Sequence, residues 1–139
     1  MLVSCIMRTP VTTVTPNTSV RAAAALMGKL GLGVLPVCAM ARPIGIITDR
    51  DIVIRWVPNA IGDGNIEPIM TPNVVTCRAS YTVEQAAHLM SARQIRRLVV
   101  VDGFGDIAGM VTLGDIANDA NELLAGQTLG EIVEARGGY

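Results

Sequence analysis

The sequence predicts an α/β (α+β) fold in which two tandem β-α-β-β-α repeats pack as one pseudo-two-fold module. Three observations support this prediction. One series of residues occurs twice in the same order, each copy contains an apolar helical stripe followed by two short apolar runs, and 139 residues suffice for one ordinary domain. A small sheet with helices on one face cannot cover both of its apolar sides. We therefore expect the two copies to pack together.

The internal repeat keeps a steady register over most of the chain. Met7 corresponds to Met70 and Val20 to Val83 at the same spacing, and the spacing grows by a single position from Gly45 to Gly109. Self-similarity at a constant spacing indicates duplicated structural units. The matched elements are Ile6-Met7 with Ile69-Met70, Thr9-Pro10 with Thr71-Pro72, Val20 with Val83, Leu35-Pro36-Val37 with Leu98-Val99-Val100, and Gly45 to Ile52 with Gly109 to Ile116.

The second copy has the clearer local signals. Thr82 followed three residues later by Gln85 is a capping-box pattern, and an apolar stripe after it predicts a helix over residues 83–93. The β-branched run over residues 98–101, the turn residues 102–106 and the run 107–111 predict a hairpin. A second helix is predicted to begin near Thr112.

The first copy follows the same plan with different turn residues. Its hairpin turns at residues 40–43, and the helix after Thr48 runs toward Trp56 and stops at Pro58. We assign residues 1–60 to the first repeat, 61–121 to the second, and 122–139 to a C-terminal tail. Leucine, isoleucine and valine residues in that tail predict a short helix packed on the module or on a second copy, with a loose Gly137-Gly138 end.

Composition narrows the class of protein. Half of the residues are hydrophobic, 17% are charged, and the mean hydropathy is +0.45, so we expect apolar surface to be buried in a homodimer. Residues 30–41, which equal the longest uncharged stretch of the sequence, are too short to span a bilayer. The N-terminus has no signal-peptide pattern, so we expect a cytoplasmic protein without membrane partners.

Charge and cysteine content exclude further classes. The net charge is −1 and the cations are ten arginines with the single Lys29, without a basic run, so we expect no nucleic-acid binding. Three cysteines without CxxC spacing and the lone His88 indicate neither a disulfide framework nor a metal site. We predict that the cysteines are small buried residues.

These ordered elements resemble the CBS-domain family, specifically stand-alone bacterial proteins that consist of one CBS pair, also called a Bateman module. The resemblance covers residues 4–118 and rests on the Met-Thr-Pro opening, Thr15-Pro16 before a helix, the Leu35-Pro36-Val37 strand and two copies of Gly-x-x-Thr-x-x-Asp. It implies a regulatory module that binds AMP, ADP, ATP, S-adenosylmethionine or a related nucleotide between the copies, and that dimerises. No catalytic residue, metal or required cofactor is implied.

The Thr-x-x-Asp positions admit two roles that are compatible with each other. Thr48 with Asp51, and Thr112 with Asp115, have the spacing of a capping-box variant at a helix start. The same exposed N–H groups favour phosphate, and a carboxylate can accept hydrogen bonds from both hydroxyls of a ribose. The resemblance implies aspartate on ribose and threonine near phosphate.

The resemblance also implies two unequal clefts between the copies. Arg96 and Arg97 suit phosphate oxygens, although they could equally be the solvated end of a helix, so the first cleft is expected to prefer a phosphorylated nucleotide. The second would suit a less charged adenosine ligand or stay empty, and Leu113-Gly114 replaces Asp49-Arg50 in its motif. The first cleft would combine Thr48, Asp49 and Asp51 with Ile95, Arg96 and Arg97; the second would combine Thr112 and Asp115 with Thr13, Thr15, Leu32, Gly33 and Val34.

Three functions can be compared on these residues. The favoured one is a regulatory module that binds an adenosine-type ligand, with NAD as a further candidate, and signals in trans to an effector protein. The second is a structural or adaptor module that dimerises without a ligand. The third, a small enzyme, would need a nucleophile beside a base or a metal cluster, and one histidine with three scattered cysteines suggests neither.

Overall fold

A computed structural model describes residues 1–135, which form two compact units. One unit comprises Thr12–Val74, and the other comprises Met1–Val11 together with the chain from Val75 onward. The predicted mixed α/β class with two tandem repeats is confirmed, with one three-stranded sheet in each unit. The beginning of the first repeat thus belongs to the same unit as the body of the second.

The Thr12–Val74 unit begins with helix α1, Val20–Leu30, which is capped by the Ser19 side chain and ends at Gly31 in the left-handed conformation. Strands β1, Val34–Ala39, and β2, Arg42–Thr48, form the predicted antiparallel hairpin. The short strand β3, Thr71–Pro72, pairs with β2 on its other side. The strand predicted before α1 is reduced to a single parallel bridge between Val14 and Val37.

The helix predicted after Thr48 is continuous but irregular. An α-helical turn α2, Asp49–Asp51, leads into a π-helical segment, Ile52–Trp56, and a 3₁₀ turn, Val57–Asn59. The segment ends at Asn59, one residue after the predicted stop at Pro58, which lies within the 3₁₀ turn.

In the other unit, strand β4, Thr76–Arg78, runs parallel to β5, Arg97–Val101, which pairs antiparallel with β6, Ile107–Thr112. Helix α3, Val83–Arg93, has the predicted bounds and capping box. Helix α4, Leu113–Asp119, follows Thr112 as predicted.

The C-terminal tail forms helix α5, Glu122–Ala135, which packs on α3 and α4 of its own unit. Ile132 is fully buried and Ala125 nearly so, whereas Leu123 is 86% exposed. The predicted tail helix is therefore present. The predicted loose Gly137-Gly138 end lies outside the described residues.

Backbone hydrogen bonds hold the N-terminal segment, residues 1–11, to the part of its unit that begins at Val75. A 3₁₀ turn, Val3–Cys5, is held by donation from the Val3 N–H to the Tyr81 carbonyl. Arg8 and Met110 exchange both of their backbone hydrogen bonds, at 2.7 and 3.1 Å. Residues from the start of the chain therefore border strand β6.

Each unit has its own apolar core. The cores use equivalent positions, because the helix stripe and the first strand of the hairpin point inward in the same register in each copy. The buried pairs are Val20 with Val83, Ala23 with Ala86, Met27 with Met90, Leu35 with Leu98 and Val37 with Val100.

Two of the three cysteines are buried, as predicted. Cys38 and Cys77 are 3% and 2% exposed, and burial raises the pKa of both thiols, that of Cys77 to about 11. The prediction is wrong for Cys5, which is exposed because its 3₁₀ turn buries Val3 instead. No helix within residues 1–135 combines the length and apolar character needed to cross a membrane.

Candidate ligand-binding site

The two Thr-x-x-Asp turns form complete capping boxes of the same geometry. Thr48 Oγ1 accepts a hydrogen bond from the Asp51 N–H at 3.0 Å, and Asp51 Oδ2 accepts one from the Thr48 N–H at 3.0 Å. The equivalent distances for Thr112 and Asp115 are 3.1 and 2.9 Å. The capping role predicted from the spacing alone is present in both copies.

Both acids of the motif are buried. Asp51 is 6% exposed and Asp115 is 2% exposed. A buried carboxylate needs hydrogen bonds or a cation to offset its lost hydration. Part of that requirement is met by the capping box, and the rest comes from segments that the sequence analysis did not assign to the site.

The additional partners differ between the two acids. Thr71 Oγ1 lies 3.3 and 3.4 Å from the two carboxylate oxygens of Asp51, and Arg55 Nε lies 3.8 Å from Asp51 Oδ1. Arg8 Nε donates to Asp115 Oδ1 at 2.8 Å, which is a charge-assisted hydrogen bond of short length. The Asp115 carboxylate raises the pKa of the Arg8 guanidinium, first through this hydrogen bond and then through its charge.

The glycine that opens each Gly-x-x-Thr-x-x-Asp motif allows these partners to approach. A Cβ atom on Gly45 would lie 2.6 Å from the Thr71 carbonyl oxygen, and one on Gly109 would lie 2.9 Å from the Arg8 carbonyl oxygen. No ordinary side chain fits at such distances. The glycine, the acid and the segment that contains Thr71 or Arg8 therefore form one structural arrangement in each unit.

A hollow of about 450 Å³ lies beside the start of α4. Its polar lining includes Arg96, Arg97 and Thr112, which were predicted as ligand-binding residues. Arg96 and Arg97 are exposed, and neither side chain has a hydrogen-bond or ion-pair partner within residues 1–135. The other lining residues are Leu113, Gly114 and Ala117 of α4 and Glu122, Ala125, Gly126 and Leu129 of α5.

The Thr12–Val74 unit has a hollow of about 520 Å³ at the equivalent position. Three predicted residues, Leu32, Gly33 and Asp49, contribute to it. It has no equivalent of the arginine pair, because Gly33 stands where the other copy has Arg96. Its remaining lining residues are Ala24, Met27, Gly28, Gly31, Ile52 and Val53.

The other predicted residues lie elsewhere in their units. Ile95 packs against an apolar core, Val34 begins β1, and Thr13 and Thr15 are exposed residues before α1. Asp51 and Asp115 are not among the residues that line either of these hollows. The predicted pairings, of Thr48 and Asp51 with residues 95–97 and of Thr112 and Asp115 with residues of the first copy, join different units and stay predictions.

Arg8 and Thr71 were not predicted as neighbours of the two acids, nor was α5 predicted to line a hollow. The sequence analysis matched Thr9-Pro10 with Thr71-Pro72, but Arg8 and Thr71 are the residues that directly follow Met7 and Met70. The pairing of Arg8 with Met110 and of Thr71 with Ile46 makes these two residues structurally equivalent. The α5 contribution had no counterpart in the first copy to reveal it. Within the part of the chain that the structure describes, no three His, Cys, Asp or Glu side chains form a metal-binding group.

The fold and these turns define a class of protein with two α/β repeats, each of which has a buried aspartate in a helix capping box. A family model described as "CBS domain" matches residues 3–56 and 64–121. The chain belongs to the CBS domain family.

Individual relatives agree with this assignment. The chain is 36% identical over 128 residues to the CBS domain-containing protein YhcV of Bacillus subtilis, and the match covers 91% of each protein. Several other relatives are longer proteins, of which the chain spans only 18–24%.

Solved CBS structures have the same fold. CBSX2 in complex with AMP superposes with a TM-score of 0.76 at 27% identity, covering 88% of this chain and 97% of that one. The CBS domain pair of MJ0100, in complex with 5-methylthioadenosine and S-adenosyl-L-methionine, gives a TM-score of 0.75 at 34% identity and covers 84% and 97%. Both neighbours were therefore crystallised with adenosine-type molecules.

Proposed function

We propose that this chain is a regulatory CBS pair that binds an adenosine-type ligand, performs no catalysis and signals in trans to an effector protein. The observation that carries the proposal is the hollow in which Arg96 and Arg97, whose side chains have no partner within residues 1–135, lie beside Thr112. Similarity to CBS pairs crystallised with AMP and with S-adenosyl-L-methionine supports the ligand class.

The arginine pair favours a ligand that carries phosphate. Two exposed guanidinium groups supply planar sets of N–H donors that suit phosphate oxygens, and the Thr112 hydroxyl can donate a further hydrogen bond. AMP, ADP or ATP therefore suits this hollow better than an uncharged nucleoside. Ile95 extends the proposed contact surface on the apolar side.

The aspartates are proposed to select ribose. A carboxylate accepts hydrogen bonds from vicinal hydroxyls, and among the described residues Asp51 Oδ1 has only long contacts, at 3.3 and 3.8 Å. Thr48 and Asp49 complete this proposed site. Thr13, Thr15, Leu32, Gly33 and Val34 are proposed to surround the second ligand position beside Asp115.

The chain is further proposed to be a cytoplasmic homodimer. Val53, Ile54 and Val57 are between 57% and 60% exposed on the helical segment that follows Thr48. Three apolar side chains so close together on one surface suit contact with another protein, for which we propose a second copy of the chain.

Calorimetric titration tests the ligand proposal directly. AMP, ADP, ATP, NAD and S-adenosylmethionine are titrated into the full chain and into a variant carrying both Arg96→Ala and Arg97→Ala. We expect AMP binding to weaken by at least about tenfold in the double variant. Arg93→Ala is the matched control, because Arg93 is exposed near the same strand but does not line the hollow.

The alternative is a ligand-free adaptor, and one observation favours it. Both motif acids already have hydrogen-bond partners inside the protein, so neither requires a ligand. Heat from none of the five compounds would favour the adaptor. Tight binding that is unaffected in the double arginine variant would refute the proposed phosphate contacts.

A further inference from the structure

One residue distinguishes the two motif acids. Arg8 and Thr71 are equivalent in the repeat, and each donates a hydrogen bond to the aspartate of its own unit. The pairing joins Arg8 to Asp115 within one unit and Thr71 to Asp51 within the other. Asp115 therefore receives a short hydrogen bond from a cation, whereas Asp51 receives a long one from a neutral hydroxyl and has its nearest cation, Arg55, 3.8 Å away.

The different partners leave the two carboxylates with different capacity to accept further hydrogen bonds. Asp115 Oδ2 accepts from the Thr112 N–H at 2.9 Å, and Asp115 Oδ1 accepts from Arg8 Nε at 2.8 Å. Asp51 Oδ2 accepts from the Thr48 N–H at 3.0 Å, but Asp51 Oδ1 has no contact shorter than 3.3 Å within residues 1–135. A vicinal diol needs free carboxylate lone pairs for both of its O–H donors. Asp51 has more of that capacity than Asp115.

The solvent exposure of the two acids and the charge of their partners also favour ribose binding at Asp51 over Asp115. The Asp115 side chain is 3% exposed and the Asp51 side chain is 8% exposed, whereas the Arg8 side chain is 73% exposed. A ribose that approached Asp115 would have to displace a charged donor at short distance, and a neutral hydroxyl replaces a charge-assisted hydrogen bond poorly. A ribose at Asp51 competes with the long Thr71 hydrogen bond and the 3.8 Å Arg55 ion pair, both of which are weaker than the 2.8 Å Arg8 hydrogen bond.

We propose that Arg8 is a specificity-determining residue that occupies the Asp115 carboxylate and thereby directs the ribose of the ligand to Asp51. This inference rests on the proposed ligand binding. It makes the chain a one-site sensor at low ligand concentration, in which the Asp115 position fills only when Arg8 is displaced. Replacing Arg8 by threonine gives the second acid the neutral donor that the first acid has at the equivalent position, while Asp119 still stands where the first copy has Arg55.

Two paired comparisons with AMP test the inference. The full chain carrying Asp51→Asn reports on the Asp115 position, and adding Arg8→Thr to it is expected to tighten AMP binding by about tenfold or more. In the reciprocal pair, adding Thr71→Arg to Asp115→Asn is expected to weaken AMP binding by a similar factor. Arg93→Thr in each background removes a comparable exposed cation and is expected to leave the affinity unchanged.

The outcomes separate this inference from the proposed function. Two sites of equal affinity in the unaltered chain, or affinities that are insensitive to residue 8, would overturn the inference while leaving ligand binding established. No AMP binding by any variant would overturn the proposed function for this ligand and the inference with it. Arg8→Lys distinguishes charge from geometry, because a retained ammonium is expected to keep the affinity low.

A measurement on the unaltered chain covers the case in which a variant fails to fold. The Arg8 Nε–H resonance is followed by NMR while AMP is added. We expect this resonance to stay unchanged while the first equivalent of AMP binds and to shift only at higher concentrations. A shift that coincides with binding of the first equivalent would show that Arg8 does not reserve Asp115, and would refute the inference.

Discussion

The two Thr-x-x-Asp turns can be compared atom by atom, because their capping distances nearly coincide, at 3.0 and 3.0 Å in the first copy and 3.1 and 2.9 Å in the second. Their acids differ in what reaches them from outside the turn. Asp51 receives a long hydrogen bond from Thr71, which is 20 residues away in sequence. Asp115 receives a short one from Arg8, which is 107 residues away.

The capping box is determined by nearby residues, whereas the other partners of the acid are determined by distant residues. Four consecutive residues suffice for the capping box, so both copies have it. The hydrogen bonds of the carboxylate depend on a distant segment that pairs with strand β2 or β6 beside a glycine. Duplication has therefore preserved the turn while allowing the two acids to acquire different neighbours.

The largest effect is expected from the core, where the two units should behave alike. Leu35 and Leu98 are equivalent, and they are 0% and 1% exposed. Leu35→Ala and Leu98→Ala should each lower the free energy of unfolding by about 2–5 kcal/mol, measured by urea denaturation. Leu123→Ala, at an 86% exposed position, should change it by less than about 0.5 kcal/mol. A negligible effect of either core variant would contradict the equivalence.

Sequence analysis was most successful where the signal was local. The bounds of α3, both hairpins and the capping boxes follow from residues that lie close together in the sequence. These elements depend on apolar periodicity and on side-chain hydrogen bonds to nearby N–H groups, which are visible in the sequence.

The features that were missed depend on distant pairings. The first copy's leading strand became a single Val14 bridge, and the Arg8 segment joined the other unit through Met110. Nothing within a few residues of Arg8 indicates that Asp115 will be its partner. The π-helical turn after Asp51 likewise has no local signal that we recognised.

The next effect concerns the motif glycines and tests the link between strand and crossing segment. Gly45→Ala and Gly109→Ala should each lower the free energy of unfolding by roughly 1–3 kcal/mol, because the added methyl group meets backbone carbonyl oxygens. Gly45→Ala should be the more costly, since its contact would be 2.6 Å rather than 2.9 Å. Thermal or urea unfolding measures both.

Gly130→Ala is the control for the glycine comparison. It lies in α5 with nothing within 4 Å of the added Cβ, so the substitution should stabilise the helix by up to about 1 kcal/mol. If Gly45→Ala and Gly109→Ala were as harmless as Gly130→Ala, the close approach of the Thr71 and Arg8 segments would not occur in solution.

A smaller effect distinguishes the units at alkaline pH. Burial raises the pKa of Cys77 from 9.0 to about 11, and it also raises the pKa of Cys38. The unfolded chain releases the thiol proton first, so the stability contributed by each protonated thiol is complete below pH 9 and declines as the pH rises. For Cys77 the decline spans about pH 9 to 11 and amounts to on the order of 2 kcal/mol.

Each cysteine can be replaced by the residue that occupies the equivalent position in the other copy. Cys77→Val introduces the residue found at Val14, and Cys38→Val introduces the residue found at Val101. Cys77→Val should remove more of the stability loss between pH 9 and 11 than Cys38→Val does. The same alkaline loss in Cys77→Val as in the unaltered chain would exclude this thiol as its source.

The smallest effect should be equal in the two turns, and it tests whether their difference lies only in the distant partner. Thr48→Ala and Thr112→Ala remove the hydroxyl oxygen that accepts from the Asp51 or Asp115 N–H. Each should cost about 1 kcal/mol in the free energy of unfolding, and Thr→Ser should restore most of it. Because the local distances are so similar, a difference of more than about 1 kcal/mol between the two alanine variants would mean that the Arg8 contact also supports the cap. Repeating Thr112→Ala in an Arg8→Thr background decides that point, since independent contributions add and coupled ones do not.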